Sequence, residues 1–338
     1  LVAVMARFRR FAYTPPMLIK NSLLSISLTA LALPASSASG AETVKLLYAL
    51  PATVPAVLPY IALDKGFFKE EGLEVSAQMF SSGREALQAL LAKQAQLQSV
   101  SETPVVHAIV QGNSLVTVAT VARHIEAKLI ARKDRGILKP VDLKGKRVAT
   151  LPGTNSDYFM YKFLAANGLT PADLKIANMP PPEMVVAYAK GDIDAYFAWE
   201  PHIHYGLTQV PESTVFYPGK LYRGWTTVNM DPEFVKQNPQ TTRKVIRALI
   251  KAQAYVGAHK DECIALVAAR LRLDEKALRA LWGENEFKVE LDKGLLSDMQ
   301  EIGAWSKDLS KSDKPLPNFR EYIDERALRA ERPNSVSF

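Results

Sequence analysis

From residue 44 onward the chain repeats one pattern: a strand-like apolar run, a polar loop, then a helix with apolar residues at helical spacing. VKLLYAL opens the series as a buried strand, PYIALDKGFFKEEG follows as a short helix closed by Gly72, and LEVSAQMF is a second strand. Beyond Ser81, Ser82 and Gly83, the helix REALQALLAKQ carries Ala86, Leu87, Leu90 and Leu91 on one face. QLQSVS, a loop of Glu102, Thr103 and Pro104, the helix VVHAIVQG and the strand SLVTVATVA continue the alternation. Strands alternating with helices predict a parallel-type sheet covered by helices.

KLIARKDRGI reads as a crossing segment, after which RVATL, DYFMYKFLAANG, KIANMP, EMVVAYAKG, AYFAWEP and TVFYPG form a second alternating set. Two such sets in 338 residues predict an α/β protein of two lobes. Residues 42–130 are the first part of lobe 1, 131–222 are lobe 2, and 223–338 complete lobe 1 with mostly helical sequence. No solenoid-length repeat and no low-complexity tract interrupts this plan.

Residues 1–41 stand apart. Lys20, an apolar run over 23–33, and the small residues that follow it have the form of a secretory signal peptide. Met17 is its natural start, with an over-extended segment upstream, and cleavage is expected after Ala38, Gly40 or Ala41. The apolar run is shorter than the roughly 20 residues needed to span a bilayer, and no later run reaches that length. A soluble, periplasmic mature chain is therefore expected. Lys plus Arg outnumber Asp plus Glu by 42 to 35, but Arg7, Arg9, Arg10 and Lys20 lie before residue 41, where there is no acid. The remaining excess is too small and too scattered for a nucleic-acid face. Cys263 is the only cysteine, which excludes an internal disulfide or a cysteine metal cluster and suits a buried thiol.

In open α/β sheets the ligand sits beyond the carboxyl ends of the strands. That rule selects the loops 51–55, 81–83, 101–103, 120–124 and 153–156, most of them rich in Ser, Thr, Gly or Asn. For Ser82 or Thr103 alone, ordinary helix capping is a sufficient reading. The run Gly153, Thr154, Asn155 and Ser156 has more polar residues than a cap needs, and its glycine allows close backbone approach. It suits the anionic end of a ligand, favoured by free amides and the helix dipole. In GDIDAYFAWEP, Trp199 and Glu200 stand at the same edge, either as ligand contacts or as a core residue and a surface ion pair. Trp225, in the segment returning to lobe 1, is a candidate on the same logic. There is no G-x-S-x-G elbow, phosphate loop or G-x-G-x-x-G. His202 and His204 would share one face of a strand, but no third histidine or cysteine accompanies them, so no metal and no catalytic set is predicted.

GFFKEEGLEV, LKGKRVATLPGT, NGL with a downstream LKIANMPPPEM, and GDIDAYFAWEP closely resemble the periplasmic substrate-binding proteins of nitrate, taurine and alkanesulfonate importers, over roughly residues 44–305. The resemblance implies a two-lobed type II periplasmic binding protein, each lobe a sheet flanked by helices, with the ligand cleft between lobes. It implies a monomer without a cofactor, whose partners are a small-molecule solute and the permease of an ATP-binding cassette importer. Carried over, the ligand contacts are Thr53, Ser82, Gly83, Thr103, Thr154, Asn155 and Ser156, with Trp199 and Glu200 from lobe 2. Glu102 and Glu200 depart from what a sulfonate site wants, and a zwitterionic solute would remove the conflict. Closure is expected about a hinge near 127–132 and 222–227. A pyrimidine synthase in the same superfamily uses a cysteine-rich motif that Cys263 alone cannot supply. Two other readings stay open: an enzyme on this fold, pairing Glu102 or Glu200 with His124 or His202, and a sensor subunit. Sulfonate, taurine, nitrate, aromatic acid and pyrimidine all remain candidate ligands, with an organic anion or zwitterion favoured because a bare nitrate leaves Trp199 unexplained.

Overall fold

Two sheets flanked by helices organise the chain in a computed structural model that describes residues 44–125, 127–311 and 313–338. The expected signal segment lies outside the described residues. β1 (Val44–Pro51) leads through α1 (Val57–Asp64) and α2 (Phe67–Glu70) to β2 (Leu73–Phe80), α3 (Gly83–Leu91), β3 (Leu97–Ser101), α4 (Glu102–Val110) and β4 (Val116–His124). The second series is β5 (Lys128–Arg132), β6 (Arg147–Thr150), α5 (Asn155–Ala166), β7 (Lys175–Asn178), α6 (Pro181–Lys190), β8 (Ala195–Ala198), α7 (His202–Gln209) and β9 (Ser213–Phe216). β10 (Gly224–Met230) precedes α8 (Pro232–Gln237), α9 (Pro239–Ala258), α10 (Lys260–Leu271) and α11 (Glu275–Leu281). The short β11 (Asn285–Glu286), α12 (Lys293–Ser310) and α13 (Arg326–Glu331) follow. Among the described residues no helix is long and apolar enough to cross a membrane.

β1 shows why these runs are strands. Leu46, Tyr48 and Leu50 enter the main core, while Leu47 and Ala49 pack with Ala86 and Ala89 of α3. Both faces are covered, so the run is apolar throughout instead of alternating.

The first sheet has the order β11-β4-β10-β3-β1-β2 and the second β7-β6-β8-β5-β9. Neither is purely parallel, which corrects the expectation from alternation. β1 runs parallel to β2 and β3, and β6 parallel to β7 and β8, but β10 is antiparallel to β3 and β4, and β5 to β8 and β9. The cause lies in how the chain changes sheets. It leaves β4 at His124 and starts β5 at Lys128; later it leaves β9 at Phe216 and starts β10 at Gly224. A strand reached without an intervening helix enters at the edge where its predecessor ended, so it must run back. The expected hinge segment at 127–132 is thus largely β5, and most of 222–227 is β10, each crossing lying just before the strand.

β10 was not legible as a strand. All seven of its residues are buried, yet it carries Thr226, Thr227 and Asn229. The Asn229 side-chain amide donates to Gln98 Oε1 at 2.8 Å and accepts from Thr117 Oγ1 at 2.7 Å, so Asn229 is paired to both neighbouring strands. Other local readings also shift. Glu102, Thr103 and Pro104 form the first turn of α4 instead of a loop, residues 120–124 continue β4, and Gly66, at φ +72°, splits the first helix in two. His202 and His204 lie on α7, where residues two apart point to different sides, so they share no face.

α7 packs against the second sheet through Gly206. A β-carbon there would lie 2.1 Å from Tyr196 Oη, which donates to the carbonyl of His202 at 2.7 Å. Gly206→Ala should therefore lower unfolding stability by ~1–3 kcal/mol through overpacking and loss of that bond, read from the urea midpoint.

Candidate functional site

The carboxyl ends of the two sheets' parallel strands face each other across a narrow cavity of about 20 Å³, room for one water molecule. Pro51 and Thr53 come from the end of β1, Gly83 and Arg84 from the start of α3, Val100 and Ser101 from the end of β3, and Thr226 from β10. The second sheet contributes Thr154 and Asn155 at the start of α5 and Trp199 just after β8. Thr53, Gly83, Thr154, Asn155 and Trp199, all selected from sequence, are therefore brought together.

The two helix starts differ. Ser82 caps α3 by accepting the Glu85 amide at 3.2 Å, as the capping reading has it. Thr154 does not cap α5: its hydroxyl donates to the Leu151 carbonyl at 2.7 Å and lies 3.0 Å from Ser156 Oγ. Asn155 Oδ1 takes the Ser156 amide at 3.0 Å, which leaves its Nδ2 buried without a hydrogen-bond partner. Trp199, 3% exposed, likewise has an unpartnered buried Nε1. A buried donor without a partner is costly, and two of them in one cavity wall mark a place where an acceptor belongs.

Gly153 does not line the cavity but holds its rim. Its φ is +74°, and a β-carbon would lie 3.1 Å from the imidazole of His107 on α4, so any side chain there is strained. His107 Nδ1 is 2.7 Å from Ser306 Oγ on α12. Nearby, Arg84 Nη1 donates to the Pro152 carbonyl at 3.0 Å, a hydrogen bond between elements of the two sheets.

The remaining candidates lie outside the cavity wall. Thr103 Oγ1 is 3.3 Å from Tyr222 Oη. The Trp225 amide donates to Glu102 at 2.9 Å and its indole N–H to Asp298 at 2.7 Å, while its neighbour Thr226 reaches the cavity. Glu200 accepts from Lys128 Nζ at 2.9 Å and from the His204 amide at 3.1 Å. Lys128 is also 2.7 Å from Glu284. Burial opposes its charge, but Glu200 and Glu284 outweigh burial and hold the lysine above its usual range. Arg84 and Lys128 were missed from sequence. Arg84 directly follows the selected Gly83, and Lys128 is the one charge inside an otherwise apolar strand start. Among the described residues no group of His, Cys, Asp and Glu is placed to hold a metal ion.

A profile of the family described as NMT1/THI5 like matches residues 56–263. The chain belongs to the NMT1/THI5 like family. A protein of Brucella abortus strain 2308 named as a binding protein is 24% identical over 259 residues, 72% of this chain and 79% of the relative. The taurine-binding periplasmic protein of Escherichia coli strain K12 is 25% identical over 203 residues, 59% of this chain and 62% of its own. The solved alkanesulfonate-binding protein SsuA from Xanthomonas axonopodis pv. citri, bound to MOPS, superposes with a TM-score of 0.75 at 18% identity, covering 84% of this chain and 99% of that one. The fold is thus the periplasmic binding protein fold.

In this member of the NMT1/THI5 like family, Glu102 is a buried acid beside the cavity wall. Burial pushes its carboxyl from 4.5 up to about 7, against the opposing pull of the Trp225 amide and the Tyr222 hydroxyl, which donates at 2.7 Å. The folded protein keeps a proton that the unfolded chain releases, so stability falls as pH rises from about 4.5 to about 7. Asp157, pushed up to about 6 by burial, acts in the same direction. Glu102→Gln should remove ~3 kcal/mol of this decline while the Asp157 share remains, as measured by urea unfolding across that pH window.

Proposed function

We propose that the protein is an exported receptor that captures a small organic anion between its two sheets and presents it to an importer permease without altering it. The observation that carries this reading is the pair of buried, unpartnered donors, Asn155 Nδ2 and Trp199 Nε1, on a wall that also holds the Arg84 guanidinium. The lining residues include no acid. Glu102 and Glu200, which had suggested a zwitterion, are engaged by Tyr222, Trp225 and Lys128 instead, which favours a plain anion over one carrying an ammonium. Those same engagements support binding without catalysis, since each carboxylate already serves a structural donor. The names of the taurine-binding and alkanesulfonate-binding relatives support a sulfonate-like head group.

An organic anion exceeds the roughly one-water volume of the cavity, so the walls must part and close. The link from β4 to β5 and the link from β9 to β10 are the two about which this motion turns. Ligand contacts from both sheets then favour the closed arrangement.

Thermal-shift and calorimetric titrations with alkanesulfonates, taurine, nitrate, aromatic carboxylates and pyrimidines test the reading. A ligand at about 100 times its dissociation constant stabilises by roughly 2.7 kcal/mol. Alkanesulfonates or aromatic carboxylates should bind more tightly than taurine. Trp199→Phe and the double variant Thr154→Ala/Asn155→Ala should each weaken binding by about tenfold or more, and Cys263→Ser should leave it unchanged. Unaltered affinity in the first two variants would remove these donors from the site, and conversion of the bound compound would replace the receptor with an enzyme.

A further inference from the structure

We propose that the protein carries a second binding site, for a small oxyanion, in the recess between α5, α12 and the end of the second crossing. This recess measures about 230 Å³, larger than the solute cavity, and is lined by Arg123, Lys162, Lys220 and Arg223 together with Asp298 and Glu301. Its cations exceed its carboxylates by two.

With Glu286 counted, which meets Arg223 from outside the recess lining, one positive charge remains in excess. Lys162 is met by Glu301 at 2.6 Å and Arg223 by Glu286 at 3.3 Å. Asp298 accepts the Trp225 indole N–H at 2.7 Å. Among the described residues neither Arg123 nor Lys220 has a carboxylate in ion-pair contact, and Arg123 Nε is buried without a hydrogen-bond partner.

Arg123 is also held in position. Its guanidinium lies 4.6 Å from the centre of the Trp225 ring, and that ring is fixed by the bond from its own N–H to Asp298. A stacked guanidinium presents its donors in one plane, the geometry that suits the oxygens of a phosphate or carboxylate. The walls come from both series of elements, Lys162 from α5 and Arg123 from β4, so a bound oxyanion would tie them together. The site stands whether or not the solute reading holds, because it shares no lining residue with the solute cavity.

Isothermal titration of the purified protein with inorganic phosphate tests the proposal, using Lys220→Ala, Arg123→Gln and Thr154→Ala/Asn155→Ala. Wild type and the Thr154→Ala/Asn155→Ala variant should bind phosphate alike, with affinity falling as sodium chloride is raised. Lys220→Ala and Arg123→Gln should each weaken it by about tenfold, the loss expected for one charge-assisted contact. Lys220 is exposed, so its variant should keep the fold, to be checked by circular dichroism. The proposal falls if wild type gives no binding or if Lys220→Ala binds as wild type does. It also falls if phosphate binding is lost in Thr154→Ala/Asn155→Ala, which would place the ion in the solute cavity.

Discussion

A lysine with 1% of its side chain exposed has to be neutralised where it lies, and Lys128 is neutralised by residues from every part of the seam between the sheets. Glu200 stands next to Trp199 in the cavity wall. Glu284 comes from the segment before β11, and its backbone carbonyl takes the Ile125 amide in the first crossing. Tyr217, at the start of the second crossing, places its ring 5.0 Å from the ammonium. One charge therefore fixes both crossings and the wall that Trp199 builds. Losing either carboxylate still leaves the ammonium paired with the other, so the two acids share the task of holding it.

The same seam explains the site's position. Each parallel strand ends at the edge where the sheets meet, and each crossing leaves from that edge, so β5 and β10 run back from it. Strand ends, helix starts and both links are thereby concentrated around one volume. Thr226 shares in the cavity because β10 begins there, although it belongs to no loop after a parallel strand.

Much of this was legible in the sequence because it is local. Apolar runs closed by Gly, Ser or Pro marked most of the strands, and the rule about carboxyl ends marked the loops that supply Thr53, Gly83, Ser101, Thr154 and Asn155. What escaped depends on distant partners. β10 hides its strand character behind Thr227 and Asn229, whose side chains are met by the Val100 carbonyl and by Gln98 and Thr117. Glu102 and Glu200 seemed free to meet a solute only because Tyr222 and Lys128 lie 120 and 72 residues away from them in the chain. His202 and His204 were set on a strand because β8 stops at Ala198, earlier than the apolar run suggests.

The hydrogen bond from Arg84 ends on the carbonyl of Pro152, a main-chain atom. Side chains beyond it, at Thr154 and Asn155, can be exchanged without removing the acceptor. The acceptor of this contact between the two sheets' elements is thus main chain, and only its donor, Arg84, is a side chain. On the proposed receptor reading, substitutions at Thr154 and Asn155 change which solute is held while the Pro152 carbonyl still receives Arg84.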